Sequence, residues 1–176
     1  MSLAKINIDI LIAEKLWKKE KTILSKVKSL TKKLILETPL ESILASFKTI
    51  EVSILLTGDS QIQELNKNYR NKYKPTNVLS FPLIDGKKIK NGNFKKLNVS
   101  EKNLHLGDIA ISYQTIKREA KDQHKSFDDH LTHLLLHSLL HLIGFDHEIN
   151  KKDAKIMESL EVKILSKMGI KNPYEN

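Results

Sequence analysis

The chain predicts one α+β domain over residues 1–176, a small mixed β-sheet packed with about five helices. Three observations predict it. Short β-rich runs and longer helical patterns follow one another in mixed order, as expected when helices pack on a single sheet. At 176 residues the chain is long enough to bury one real core. No linker, internal repeat or low-complexity tract divides it.

Element by element, Ile6, Ile8 and Ile10 alternate with polar residues, the period-two pattern of a half-buried strand. Leu16, Ile23, Val27, Leu30 and Leu34 then predict a helix from Leu16 to Leu36 with a lysine-rich outer face. Glu51 to Leu56 is β-rich and stops at Thr57-Gly58-Asp59. Ser60 with Gln63 has the form of a capping box and opens a helix through Tyr69. Asn77 to Leu83 is a short apolar run closed by Pro82 and the Asp85-Gly86 turn signal. Residues 86–103 hold two glycines, several lysines and no periodicity, and read as a mobile loop. Leu104 to Ser112 reads as a strand and Tyr113 to Gln123 as a helix. Ser126 caps a long apolar helix that runs to Ile143. Asn150, with Asp153 at the third helical position, starts a last helix that turns Met157, Leu160, Ile164 and Met168 inward.

Composition narrows the function. Apolar residues make up 40% and charged residues 29%, the balance of a globular rather than a disordered chain. No apolar run approaches the ~18 residues that span a bilayer. Met1 to Glu20 carries Asp9 and Glu14 and lacks the apolar stretch and cleavage site of a signal peptide, so a cytoplasmic location is expected. With no cysteine there are no disulfides and no thiolate ligands, so any transition metal must be held by His, Asp or Glu. The net charge of +9 favours polyanionic partners, since neutralised phosphates release counterions. Genome composition alone also yields lysine beside abundant Ile and Asn. At 6% aromatic residues, no aromatic-interleaved RNA-binding motif is present.

The sharpest signal is histidine spacing. His130, His133, His137 and His141 share one helix, and their spacings place them in a stripe roughly 80° wide. His137 and His141 lie one turn apart and suit joint capture of one cation. Gly144 can end the helix in a left-handed turn and let the chain return His147 towards them. Three neutral imidazoles leave a fourth position for water, the arrangement of a catalytic zinc site. The alternative, plain polar members of an amphipathic helix, fails on neighbours: Leu134, Leu135, Leu136, Leu139, Leu140, Leu142 and Ile143 surround them, and unpartnered imidazoles there are costly. His133 either bonds a ligand from behind or is an ordinary helix residue. Asp146 either orients an imidazole, takes a proton from bound water, or finishes the turn. The spacing is zincin-like and matches the metzincin pattern H-E-x-x-H-x-x-G-x-x-H except that Ser138 stands in place of the glutamate base. Ordinary peptide hydrolysis is therefore not expected.

The segment His137-Ser-Leu-Leu-His141-Leu-Ile-Gly144-Phe-Asp146-His147 closely resembles the H-G-x-L-H-L-x-G-Y-D-H signature of the YbeY family of bacterial metal-dependent endoribonucleases. Two further segments agree, from Tyr69-Arg70 through Pro75 to Pro82 and from Leu106 to Ser112, as does the last helix with Met157, Leu160-Glu161 and Ile164-Leu165. The resemblance covers about Glu51 to Ile170. Ser138 replaces a glycine, Phe145 a tyrosine, Lys72-Tyr73 stands for lysine-aspartate and Asn77 for a frequent aspartate; no proposed ligand is lost. The resemblance implies a single-strand-specific endoribonuclease of ribosomal RNA maturation, acting at the small-subunit 3′ end and in ribosome quality control. It implies His137, His141 and His147 as ligands of one Zn2+ per chain, with nickel, copper or another divalent ion able to bind the same imidazoles. It makes Arg70 a catalytic candidate for gripping phosphate, where its residue type alone reads as a solvated arginine at a helix end. RNA, ribosomal RNA and the ribosome are the implied partners, with no membrane. Two rivals stand beside it: another zinc hydrolase, either an atypical protease or a phosphoesterase, and a non-catalytic ribosome-assembly factor with a structural metal.

Overall fold

A computed structural model describes residues 4–84, 103–148 and 150–175. Its strands are β1 (Lys5–Ile12), β2 (Thr49–Thr57), β3 (Val78–Pro82) and β4 (Asn103–Ser112). Its helices are α1 (Ile23–Glu37), α2 (Asp59–Arg70), α3 (Tyr113–Asp122), α4 (Phe127–Leu142) and α5 (Lys151–Lys167), with short 3-10 stretches at Lys15–Lys19 and Pro39–Ser46. The sheet order is β1-β2-β4-β3; β1, β2 and β4 run parallel, and β3 lies antiparallel on β4. The mixed sheet with five helices is the predicted α+β fold.

Alternation decides which side of each strand is buried. Ile50, Val52, Ile54 and Leu56 of β2 face the main core, and Ile8, Leu104, Leu106, Ile109 and Ile111 join them. α1 and α4 cover this face with Val27, Leu34, Leu131, Leu135, Leu139 and Leu142. On the opposite face α2 lays Ile62 and Leu65 over Leu55, Leu79, Phe81 and Ala110. Pro82, which has no N–H to donate, sits at the end of an edge strand, where sheets tolerate it. β4 carries one extra residue where the register slips between Glu51 and Val52 of β2. The slip lets Leu104 and Leu106 share the core face with Ile109 and Ile111, which regular alternation would place on the opposite side, and Gly107 takes φ 139° beside Phe81 and Pro82.

Two expectations are corrected. The helix expected from Leu16 to Leu36 is broken: a 3-10 turn ends at Lys19, Thr22 has φ 57°, and α1 begins at Ile23. The break lets Trp17 turn fully inward, where its Nε1–H donates to the Thr57 carbonyl at 2.9 Å and its ring packs edge-on against Tyr113. Ser60 is not a cap. α2 starts from Gly58, and Asp59, the residue before Ser60, accepts hydrogen bonds from Ser112 and Thr115 at the start of α3. At its far end α2 is held by buried Asn66, which donates to the Lys74 carbonyl at 2.8 Å, and closes with Asn71 at φ 53°. The loop expected at 86–103 lies outside the described residues apart from Asn103, which opens β4.

Candidate metal centre

α4 is set by its ends. Ser126 accepts the Asp129 N–H at 3.0 Å, as its sequence signal requires, and Asp128 and Asp129 complement the positive helix start. Along its length leucines are buried on nearly every side, so beyond its first turn the helix runs through the core and leaves only His133, His137 and His141 half-buried. At its end Gly144 takes φ 94°. Its N–H bonds to the His141 carbonyl at 3.0 Å, and Phe145 N–H bonds to the Leu140 carbonyl at 3.0 Å. This paired closure reverses the chain after one small residue, and His147 is carried back over His137 and His141.

The three rings meet. Their centroids lie 4.7 Å apart for His137–His141 and 5.0 Å for each pair with His147. One nitrogen from each falls within 4.8 Å of the others, and the Nε2 atoms of His137 and His141 are 3.2 Å apart. Zinc–nitrogen bonds of ~2.0–2.1 Å in a tetrahedron give nitrogen–nitrogen edges of about 3.3–3.4 Å, so this donor set fits a transition-metal ion. Burial, reinforced by the neighbouring His137 and His147, holds His141 down to about 4, and it offers a free lone pair at neutral pH.

A carboxylate stands behind His137. Glu161 of α5 is fully buried, and the His137 Nδ1–H donates to its Oε1 at 2.7 Å. Burial alone would raise this carboxyl, but the imidazoles of His133 and His137 and the Tyr174 hydroxyl outweigh it and hold it down to about 2. A carboxylate can only accept, so the proton sits on Nδ1 and the His137 Nε2 lone pair faces the other two histidines. His133 stands edge-on to His137 at 6.1 Å between centroids, with its Nε2 at 3.6 Å from Glu161. Asp146 accepts the Glu148 N–H at 2.8 Å, so it closes the turn that presents His147. Ser138 is fully buried and outside the histidine group.

Arg70 reaches the same neighbourhood from α2. Its Nη2 lies 2.7 Å from both oxygens of Glu148, the residue after His147, and that guanidinium keeps the Glu148 carboxyl below its ordinary value. His130, the first of the stripe, is apart from the group: its Nε2 meets Glu119 at 2.8 Å, and Asn77 donates to the same carboxylate at 3.0 Å. An asparagine suits position 77 here, since an aspartate would set like charge against Glu119. An apolar groove of about 650 Å3, lined by Leu11, Leu55, Leu65, Tyr69 and Phe81, lies on the α2 side of the sheet and contains none of the histidines.

Sequence reasoning missed Glu161, Tyr174 and Glu148. Glu161 left a signal, for it falls four residues after Met157 and three before Ile164, on the stripe that turns inward.

A family model described as Endoribonuclease YbeY matches residues 13–169. The chain belongs to the YbeY endoribonuclease family. Proteins named Endoribonuclease YbeY from Magnetococcus marinus and Rhizobium etli are 46% and 47% identical over 125 residues, 71% of this chain and 83% and 67% of theirs. One from Bradyrhizobium diazoefficiens is 47% identical over 134 residues, 76% of this chain and 69% of its own. These YbeY relatives are hydrolases by name. A Thermotoga maritima protein of known solution structure shares this chain's fold, with TM-score 0.57 and 23% identity over 96% of this chain and 99% of the other.

Proposed function

We propose that this chain is a metal-dependent endoribonuclease that cuts single-stranded RNA, trims the 3′ end of small-subunit ribosomal RNA and serves ribosome quality control. Its partners on this reading are ribosomal RNA and the ribosome, and it works in the cytoplasm. Among the described residues no helix is long and apolar enough to cross a membrane. The observation that carries the proposal is the convergence of His137, His141 and His147 beside an arginine fixed at the neighbouring turn.

His137, His141 and His147 would hold one divalent ion, with zinc as the first choice and nickel as another. When bound, the ion supplies Lewis acidity that polarises a phosphoryl oxygen or acidifies water. Glu161 keeps the His137 proton on Nδ1, so that the Nε2 lone pair stays available. Arg70 is the catalytic candidate: its planar guanidinium presents two parallel donors to a phosphate and offsets charge as it builds. Glu148 takes only Nη2 of that guanidinium, so a phosphate that uses Nη2 must displace the carboxylate from it. The positive balance of the chain, +9, assists capture of the strand.

Incubation of the zinc-loaded protein with a single-stranded RNA decides the matter. Cleavage is expected that stops with a chelator, in His137→Ala and in Arg70→Ala, while duplex RNA survives. Cleavage that persists in His137→Ala, or peptide turnover without RNA cleavage, overturns the proposal.

A further inference from the structure

The carboxylate behind His137 is itself held by a residue distant in sequence. Tyr174 donates its hydroxyl to Glu161 Oε2, while Oε1 receives the His137 Nδ1–H. Each oxygen of a fully buried anion thus has one donor. The segment bearing Tyr174 is secured independently. Lys125, in the turn between α3 and α4, donates to the Pro173 carbonyl at 2.7 Å, and Asn172 accepts the Tyr174 N–H at 3.1 Å. The Tyr174 ring stands edge-on to His133 at 5.6 Å between centroids.

His133 is what makes the hydroxyl matter. Both of its ring nitrogens are buried without a hydrogen-bond partner among the described residues, and its Nε2 is 3.6 Å from Glu161 Oε2. It is therefore a donor waiting within a small rotation of the carboxylate. With Tyr174 present, Oε2 is occupied and the carboxylate plane stays aimed at His137. Without it, Oε2 would keep only His133 Nε2, 3.6 Å away, a weak pairing for a buried anionic oxygen that turning towards His133 would improve. That turn would loosen the bond that orients the His137 ring.

We propose that Tyr174 is a positioning residue of the metal centre: through Glu161 it fixes the His137 ring, and so sets how tightly the three histidines hold their ion. The proposal rests on the metal-centre reading above. It extends the centre from α4 and its turn to α5 and the segment around Tyr174. By reciprocity, an ion bound at the histidines tightens the seating of that segment.

The test is zinc affinity, measured by competition with a chromophoric chelator on the full chain and on Tyr174→Phe, Glu161→Gln and the double variant. Tyr174→Phe keeps the ring against His133 and removes only the hydroxyl, so the fold is preserved. Loss of an outer hydrogen-bond partner typically weakens metal binding ~10- to 100-fold, and about tenfold is expected for Tyr174→Phe. In the Glu161→Gln background the same change is expected to cost nothing further, because the hydroxyl acts through that carboxylate. Zinc is also expected to slow amide exchange at Tyr174 in the parent and less so in Glu161→Gln. Equal affinity in Tyr174→Phe and parent overturns the proposal, as does a full additional loss in the double variant. A second zinc equivalent that disappears in His133→Ala also overturns it, by making His133, His137 and Glu161 ligands of their own ion. A parent chain that binds no zinc, or a His137→Ala variant that binds as the parent does, overturns instead the metal-centre reading beneath it.

Discussion

Replacing Gly107 with alanine probes the point where sheet, edge strand and histidine helix meet. A methyl group there would lie 2.2 Å from the Phe81 carbonyl oxygen, 3.0 Å from Pro82 Cα and 3.1 Å from Leu142 Cδ2. The first two are backbone atoms of β3 and cannot swing aside, so the edge strand must retreat from β4 by about 1 Å, a shift that ordinary packing contacts do not absorb. The backbone angle of 139° adds strain for any residue with a Cβ. Strain of ~1–3 kcal/mol and overpacking of ~1–3 kcal/mol together give about 4 kcal/mol, a large part of the ~5–15 kcal/mol that holds a domain folded. With a urea slope of ~2 kcal/mol per molar, the midpoint of unfolding falls by about 2 M. Leu142 follows His141 directly, so zinc affinity is expected to fall as well. Urea titration followed by circular dichroism reads the first effect and chelator competition the second. A midpoint within about 0.3 M of the parent would refute the reasoning.

Two further outcomes follow from groups around α4. His141 has a folded value of about 4 against an ordinary 6.5, so between those pH values the unfolded chain binds a proton that the folded chain refuses. Metal-free protein therefore loses stability as pH falls from 6.5 to 4, by up to ~1.4 kcal/mol per pH unit and on the order of 3 kcal/mol in all. Thermal unfolding of chelator-treated protein checks it, and a flat midpoint over that window contradicts the assignment. Ser126→Ala removes the side-chain acceptor at the start of α4 and is expected to cost ~1 kcal/mol, or a drop of ~2–4 °C in Tm; no change would mean the cap is replaced by water.

What was legible in the sequence is what local spacing encodes. The α4 histidines are arranged by the helical repeat alone, and Ser126, Gly144 and Asn150 mark ends through backbone chemistry that acts over three or four residues. The illegible parts depend on distant partners. Trp17 sits inside a period that reads as helix, yet its indole finds the Thr57 carbonyl 40 residues away and the helix breaks to let it. Ser60 had a cap's form, but Asp59 was drawn to Ser112 and Thr115, more than 50 residues on, and α2 started earlier. Glu161 looked like any helix glutamate, since only the fold brings His137 and Tyr174 to its two oxygens. Arg70 gained significance from resemblance rather than from periodicity, and its pairing with Glu148 spans 78 residues.

The fastening of α2 bears on how a strand is received. Asp59 anchors one end of that helix to the α3 start and Asn66 anchors the other to the Lys74 carbonyl, so the helix that carries Arg70 is tied down near both ends. On the proposed reading, differently shaped RNA segments are accommodated by the arginine's own torsions and by release from its carboxylate neighbour rather than by the main chain beneath it. Loosening Asp59 or Asn66, neither of which belongs to the histidine group, would show itself as broadened strand choice while the ion stays as firmly held as before.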